Sequence, residues 1–197
     1  MFDRKINIQQ LKDLDREFIW HPFTQMKDYE KEEPLIIERG EGVYLFDIDG
    51  NKYIDGVSSL WANVHGHCKK EIDDAIKKQI DLVSHSTLLG LGNVPSIELA
   101  QRLVDIAPEG LCKVFYSDNG STAVEIAIKM AYQHKSRESF KIAHIVNSYH
   151  GDTIGAVSVG GIDLFHKIFG PLLFETIEVN LPRKYGFDSK KYGMGWE

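Results

Sequence analysis

A short polar turn is the part of the chain whose residue types best fit a chemical task. It spans residues 117–122, with the sequence Ser-Asp-Asn-Gly-Ser-Thr, between an apolar run and a helical pattern. At a helix N-terminus, unpaired backbone N–H groups and the helix dipole both favour an anion. Gly120 permits a close backbone approach, and the hydroxyls of Ser121 and Thr122 add donors. The turn therefore predicts a phosphate site, unless Ser121 or Thr122 only caps the helix.

A second candidate loop, residues 147–152, follows the apolar run 142–146. The ring of Tyr149 in this loop could lie against a flat, conjugated ligand, while the first turn binds a phosphate group of that ligand. A flat ring with a phosphate describes pyridoxal phosphate. The alternative is that Tyr149-His150-Gly151 is an ordinary packed turn.

Alternating strand and helix patterns position these two loops. The apolar runs predict strands at 113–116, 142–146 and 174–179, with a helix at 121–135 and a weaker one at 152–159. Such alternation implies right-handed crossovers and a largely parallel sheet. Because ligands gather at the carboxyl ends of parallel strands, both loops are expected at the same edge.

The first part of the chain has a different pattern. A helix is predicted at 7–19, ending before Pro22, and an aromatic loop at 20–26 follows it. Three alternating runs between 34 and 57, with Asp49-Gly50 at one break, predict a small antiparallel meander in which Asp49 and Asp55 are turn residues. Amphipathic helices are predicted at 69–83 and from Pro95 onwards.

Composition excludes several classes of protein. The chain of 197 residues is 43% hydrophobic and 26% charged, which is typical of a packed domain. A net charge of −6 argues against nucleic-acid and anionic-membrane partners. No apolar run is long enough to span a bilayer, and the N-terminus does not resemble a secretory signal. Cys68 and Cys112 are far apart in the sequence, and His65 and His67 would point in opposite directions on an extended chain, so we expect no metal site. Two separated cysteines are typical of a reduced protein, so we expect a cytoplasmic one.

Six segments of the chain stand in an order that is typical of one enzyme family: WHPFTQM (20–26), DGVSSLW (55–61), HGH (65–67), SHST (84–87), SDNGS (117–121) and YHGDTIGA (149–156). With these motifs the chain resembles the class III (fold type I) pyridoxal-phosphate aminotransferases. Two of the motifs, at residues 20–26 and 58–61, narrow the resemblance to the branch of the family that acts in biotin biosynthesis.

The resemblance implies an α/β fold, in two parts. Residues 1–66 would form an N-terminal arm and the meander of a small domain, and residues 67–197 would form the beginning of a large cofactor-binding domain with a largely parallel sheet. It also implies a homodimer, with the aromatic arm and residues 84–92 at the interface.

The resemblance also assigns roles to particular residues. Gly120 and Ser121 would bind the phosphate of pyridoxal 5'-phosphate, and Tyr149 would stack on its ring and border the substrate. Trp61, Phe23 and Asp152 would shape the pocket for an amino donor and an oxo-acid. The implied reaction transfers an amino group to 7-keto-8-aminopelargonate, giving 7,8-diaminopelargonate.

The chain departs from the family pattern at two positions, and the lysine that forms the Schiff base in the family is not expected among its 197 residues. Phe23 replaces a tyrosine that is frequent in this branch, and Leu60 replaces the first residue of a frequent tryptophan pair. The amino donor therefore stays open between S-adenosylmethionine and lysine. The Schiff-base lysine is expected beyond residue 197, so no catalytic residue is assigned, and the chain is expected to be inactive alone. The alternatives are another class III transaminase of an amine or ω-amino acid, and a non-catalytic gene fragment.

Overall fold

The computed structural model describes residues 7–135, 140–160, 162 and 167–180. Proximity of Cα atoms divides the chain into two compact units, Met1–Asn93 and Val94–Glu197. The domain boundary expected at residues 66 and 67 stays a prediction. Each unit is described separately below.

The first unit contains an N-terminal helix and a three-stranded sheet. Helix α1 (Ile8–Phe18) begins at Asn7, whose side chain accepts a hydrogen bond from Gln10 N at 2.7 Å. Strands β1 (Ile37–Glu41), β2 (Tyr44–Asp47) and β3 (Lys52–Ile54) pair antiparallel in the order β1-β2-β3. Both the predicted helix and the predicted meander are therefore confirmed.

The turn between β2 and β3 is held by one buried carboxylate. Asp47 accepts hydrogen bonds from the backbone N–H groups of Asp49 at 3.0 Å and Asn51 at 2.7 Å, and from the hydroxyl of Tyr53 at 2.9 Å. These bonds, with the side-chain amide of Asn51 contributing most, lower the pKa of Asp47. The nearly buried Lys12 of α1 also reaches this turn, with Nζ 2.9 Å from Asp49 Oδ2.

Three further helices complete the first unit. Helix α2 (Met26–Tyr29) directly follows the segment predicted as an aromatic loop, and α3 (Ser58–Trp61) follows the meander. Helix α4 (Lys70–Leu82) confirms the amphipathic helix predicted at 69–83. Its apolar face, formed by Ile72, Ile76 and Ile80, is exposed in this structure.

The second unit contains the elements on which both candidate loops depend. Helix α5 (Val94–Ile106) precedes α6 (Gly120–His134), and strand β4 (Ala143–Ile145) precedes α7 (Ile154–Ser158). A 3-10 helix (Lys167–Leu172) then leads to β5 (Ile177–Val179). Strands β4 and β5 pair parallel, with Ala143 opposite Ile177, as the alternating pattern predicted.

The strand predicted at Lys113–Tyr116 is wrong, because residues 111–117 form neither helix nor strand. An extended apolar segment becomes a strand only when a neighbouring strand accepts its backbone hydrogen bonds. Here β4 pairs with β5 instead. Tyr116 is held by a side-chain contact, because its hydroxyl donates to the carbonyl oxygen of Ser96 in α5.

The buried aliphatic side chains of the described residues, proline aside, belong to Ala156, Val157 and Val159, in and directly after α7. An apolar cavity of about 600 Å³ lies between α6 and β4, lined by Val124, Ile128 and Ile145 among others. None of the helices in the described ranges combines the length and apolar character that crossing a membrane requires.

Candidate functional site

The first candidate loop is a helix N-terminus with a reciprocal cap. The side chain of Asn119 accepts a hydrogen bond from Thr122 N at 3.0 Å, and the Thr122 hydroxyl accepts one from Asn119 N at 3.3 Å. Thr122 also shares a hydroxyl–hydroxyl bond with Ser117. The cap of α6 is therefore Asn119, with Thr122 as its partner, and not Ser121. The hydroxyl of Thr122, expected as a donor to an anion, is used within the turn.

The groups that remain for an anion are those of Gly120 and Ser121. As the first two residues of α6, they have backbone N–H groups without acceptors inside the helix. A Cβ built on Gly120 would meet no atom within 4 Å, so the backbone here is open to a ligand. Among the described residues, the Ser121 hydroxyl has no hydrogen-bond partner. Two N–H groups, a hydroxyl and the helix dipole fit a phosphate.

The second candidate loop carries Tyr149 between two residues with positive φ. Asn147 has φ 59° and Gly151 has φ 115°. The Tyr149 hydroxyl donates to Asp152 Oδ2 at 2.8 Å, and this bond, followed by partial burial, raises the pKa of the phenol. Tyr149 therefore stays protonated at neutral pH and keeps its bond to Asp152. Its side chain is half exposed, so the ring is accessible to a flat ligand.

The two loops contact each other at Gly151 and Ser121. A Cβ built on Gly151 would lie 1.8 Å from Ser121 Oγ and 3.0 Å from Ser121 Cα. Only a residue without a side chain fits this contact, and the φ of Gly151 independently favours glycine. The structure thus brings Ser121 and the loop of Tyr149 and Asp152 together as expected, although only the second of the two loops follows a strand.

A second link between the same segments was not predicted from the sequence. Glu125 of α6 accepts a hydrogen bond from Gly155 N, at the start of α7, at 2.8 Å. A Cβ built on Gly155 would lie 2.3 Å from Glu125 Oε2, so a side chain at this position would displace the Glu125 carboxylate. Thr153 caps α7 by accepting from Ala156 N at 3.4 Å. The sequence does contain one signal for this link: Ser121 and Glu125 are four residues apart, which places them on one face of α6.

Trp61 and Phe23, the other predicted site residues, lie in the first unit. Their side chains are exposed, at 75% and 87% respectively. Both have positive φ, 70° for Trp61 and 52° for Phe23. The two predicted site residues of this unit therefore share an exposed position and a positive φ.

The residues of α3 share this unfavourable backbone. Ser58, Ser59, Leu60 and Trp61 have φ between 48° and 70°. For residues with a Cβ, the left-handed conformation costs roughly 1–2 kcal/mol each. The carboxylate of Asp55 accepts hydrogen bonds from Ser59 N and Ser59 Oγ, both at 2.8 Å. Asp55 is therefore the turn residue that was expected, and it also supports a strained segment, which the sequence did not indicate.

No metal centre is found in the part of the chain that the structure describes. Within it, no group of three or more histidine, cysteine, aspartate or glutamate residues could hold an ion. His67 contacts a carboxylate instead, with Nε2 2.8 Å from Asp55 Oδ2.

Comparison with known families and proteins gives a consistent assignment. The family described as aminotransferase class-III matches residues 26–193. Adenosylmethionine-8-amino-7-oxononanoate aminotransferase from Geobacter sulfurreducens is 57% identical over 181 residues, covering 90% of this chain and 40% of that protein. The enzyme of the same name from Staphylococcus aureus is 58% identical over 184 residues, covering 90% and 41%.

Solved structures give the same result. The crystal structure of adenosylmethionine-8-amino-7-oxononanoate aminotransferase from Methanocaldococcus jannaschii matches with a TM-score of 0.85 at 56% identity, covering 90% of this chain and 42% of that one. An omega transaminase from Pseudomonas jessenii, solved in complex with PMP, matches with a TM-score of 0.80 at 31% identity, covering 90% and 40%. The chain thus spans about two fifths of the length of these relatives.

Proposed function

The chain belongs to the class-III aminotransferases, and from this membership we propose that it forms part of an enzyme that transfers an amino group to 7-keto-8-aminopelargonate, with pyridoxal 5'-phosphate as cofactor. The product would be 7,8-diaminopelargonate, a precursor in biotin biosynthesis. The names of relatives at 57% and 58% identity support this acceptor, which is 8-amino-7-oxononanoate under its other name. The enzyme would be a homodimer in the cytoplasm.

The residues of the second unit would hold the cofactor. The N–H groups of Gly120 and Ser121, with the Ser121 hydroxyl, would bind its phosphate at the positive end of α6. Tyr149 would stack on its ring, and the bond to Asp152 would fix the phenol. When bound, the cofactor supplies the electron sink through which an amino group is transferred.

The observation that carries this proposal is the contact of Gly151 with Ser121, which holds the phosphate turn beside the loop of Tyr149. Binding to the chain is testable by fluorescence titration with pyridoxal phosphate and with pyridoxal. We expect pyridoxal phosphate to bind more tightly, and Ser121→Ala to weaken its binding by roughly tenfold to a hundredfold, since a hydrogen bond to a charged group contributes roughly 1.5–3 kcal/mol. Ser86→Ala, in the first unit, is the control. Equal affinity for the two ligands would refute the phosphate site.

The substrates would be bound by Trp61 and Phe23, whose exposed rings offer apolar surface, and by Asp152. Two compounds are candidates for the amino donor. The relatives are named for adenosylmethionine, whereas Phe23 and Leu60 depart from the frequent pattern at this pocket. Lysine therefore remains the second candidate donor.

The activity is testable in the enzyme that contains this chain together with the remaining length of its relatives. The purified enzyme, loaded with pyridoxal phosphate, is given 7-keto-8-aminopelargonate with either S-adenosylmethionine or lysine, and 7,8-diaminopelargonate is measured by mass spectrometry. Formation with one donor supports the reaction and identifies the donor. Absence of product with both donors would refute the proposed reaction.

A different class-III transaminase is the second candidate. The observation that favours it is the structural match to an omega transaminase from Thermomicrobium roseum, with a TM-score of 0.83 at 33% identity. Giving the same enzyme pyruvate with an arylalkylamine or an ω-amino acid discriminates the two functions. Turnover of these substrates, without formation of diaminopelargonate, would favour the second function. No turnover in either assay would favour a non-catalytic fragment.

A further inference from the structure

Helix α3 is a left-handed turn that contains no glycine. All four residues, Ser58 to Trp61, have φ between 48° and 70°, and ψ is 53° for Ser59 and 56° for Leu60. L-residues rarely adopt this conformation in succession, because Cβ then crowds the following carbonyl oxygen. Three backbone bonds close the turn: Trp61 N donates to Val57 O at 2.8 Å, and Ala62 N and Asn63 N donate to Ser58 O at 2.9 and 3.0 Å. These bonds offset part of the strain, and contacts from outside the turn add to them.

Asp55 supplies the first of these contacts. Its carboxylate accepts from both the N–H and the hydroxyl of Ser59, each at 2.8 Å. Asp55 is itself fixed, because its N–H donates to Val43 O at 2.9 Å and so extends the pairing of β2 with β3. Its side chain is 6% exposed. A rigid, buried acceptor therefore holds the second residue of the turn.

His67 supplies the second contact by fixing Asp55 from the other side. Its Nε2 donates to Asp55 Oδ2 at 2.8 Å. The backbone of His67 is paired with Gly42, since His67 N donates to Gly42 O at 2.7 Å and Gly42 N to His67 O at 3.1 Å. The imidazole packs against Gly40, where a Cβ would lie 2.6 Å from the ring carbon Cγ. His67 is thus anchored to the sheet by its backbone and by its ring.

We propose that Asp55 and His67 are positioning residues, which hold α3 in its left-handed turn and thereby present Trp61 to the substrate. The presentation of Trp61 to substrate rests on the proposed function, whereas the holding of the turn does not. The hydrogen bonds from Ser59, first from its N–H, lower the pKa of Asp55 and keep it charged at neutral pH.

Amide hydrogen exchange of the full chain tests whether Asp55 holds α3 in its left-handed turn. Asp55→Asn removes the charged acceptor, so protection of the amides of residues 59–63 should fall about tenfold, while β2 keeps its protection. Adding Ser58→Gly should restore part of this protection, because glycine adopts positive φ without strain. Equal loss in β2, or no gain from Ser58→Gly, would overturn the proposal.

A second pair of variants tests the role of His67 without changing the carboxylate of Asp55. Gly40→Ala forces the His67 ring to move, whereas a Cβ at Gly56 meets no atom within 4 Å. Gly40→Ala should therefore lower the protection of residues 59–63 several-fold, and Gly56→Ala should not. The same effect from both variants would contradict the role of His67.

Steady-state kinetics of the complete enzyme tests whether the turn presents Trp61 to the substrate. Asp55→Asn should raise KM for the substrate that contacts Trp61 about tenfold, with a smaller change in kcat, and Ser58→Gly should reverse part of the rise. An unchanged KM in an active enzyme would overturn the presentation of Trp61. If the unmodified enzyme transferred no amino group, the proposed function would fail, and the exchange measurements would still decide whether Asp55 holds the turn.

Discussion

The contact of Gly151 with Ser121 gives the sharpest prediction. Gly151→Ala places a methyl group where the structure has only 1.8 Å to Ser121 Oγ, at a φ of 115°. The backbone strain costs about 1–3 kcal/mol. The displacement of Ser121 costs about 1–3 kcal/mol more, by analogy with overpacked cores. We therefore expect the free energy of unfolding of the second unit to fall by about 2–6 kcal/mol.

Gly110→Ala separates these two costs. Gly110 lies in the same unit and has φ 94°, but a Cβ there would meet no atom within 4 Å. Urea unfolding of this control should show the strain alone, about 1–3 kcal/mol. Affinity for pyridoxal phosphate should fall about tenfold in Gly151→Ala and stay constant in Gly110→Ala, because only the first moves Ser121. Equal losses of stability and equal affinities would refute the proposed contact.

Three further predictions concern the contacts that support the two units. Glu125→Ala leaves the buried Gly155 N–H without an acceptor and should cost about 1–3 kcal/mol in urea unfolding, whereas Glu125→Gln keeps an acceptor oxygen and should cost less. The lowered pKa of Asp47 predicts a stabilisation that is present above the ordinary aspartate pKa and lost as pH falls through the lower, folded value. Unfolding measured from pH 6 to pH 2 should show this loss, and Asp47→Asn should reduce it, because the lowered pKa of Asp55 contributes over the same range. Asn119→Ala should lower stability by about 1 kcal/mol by circular dichroism, and the same change at exposed Asp118 should have little effect.

Features that depend on neighbours in the sequence could be predicted from it. The meander follows from a period of two and from Asp49-Gly50, which favours a hairpin turn wherever the flanking runs alternate. The beginning of α6 follows from Ser117–Thr122, although the residue that caps it was misassigned. Both depend on local backbone preferences, so no knowledge of distant residues was required.

Features that depend on distant partners could not be predicted in the same way. The apolar run at Lys113–Tyr116 has the composition of a strand, but composition does not supply a neighbouring strand. The bond from Gly155 to Glu125 joins residues that are 30 positions apart. The left-handed turn of α3 has no glycine to indicate it, and the carboxylate that holds Ser59 comes from Asp55, outside the turn.

The residues that set the spacing of the cofactor site are not those proposed to touch the cofactor. A ligand with a ring and a phosphate requires a fixed distance between its two holders, here the N-terminus of α6 and the loop of Tyr149. Two contacts join α6 to residues beside or within α7, Gly151 against Ser121 and the N–H of Gly155 on Glu125. A methyl group added at Gly151 would lie 3.0 Å from Ser121 Cα, whereas one at Gly155 would meet only the carboxylate at the end of the Glu125 side chain. We therefore expect Gly151 to influence affinity for the cofactor together with Gly120, Ser121 and Tyr149.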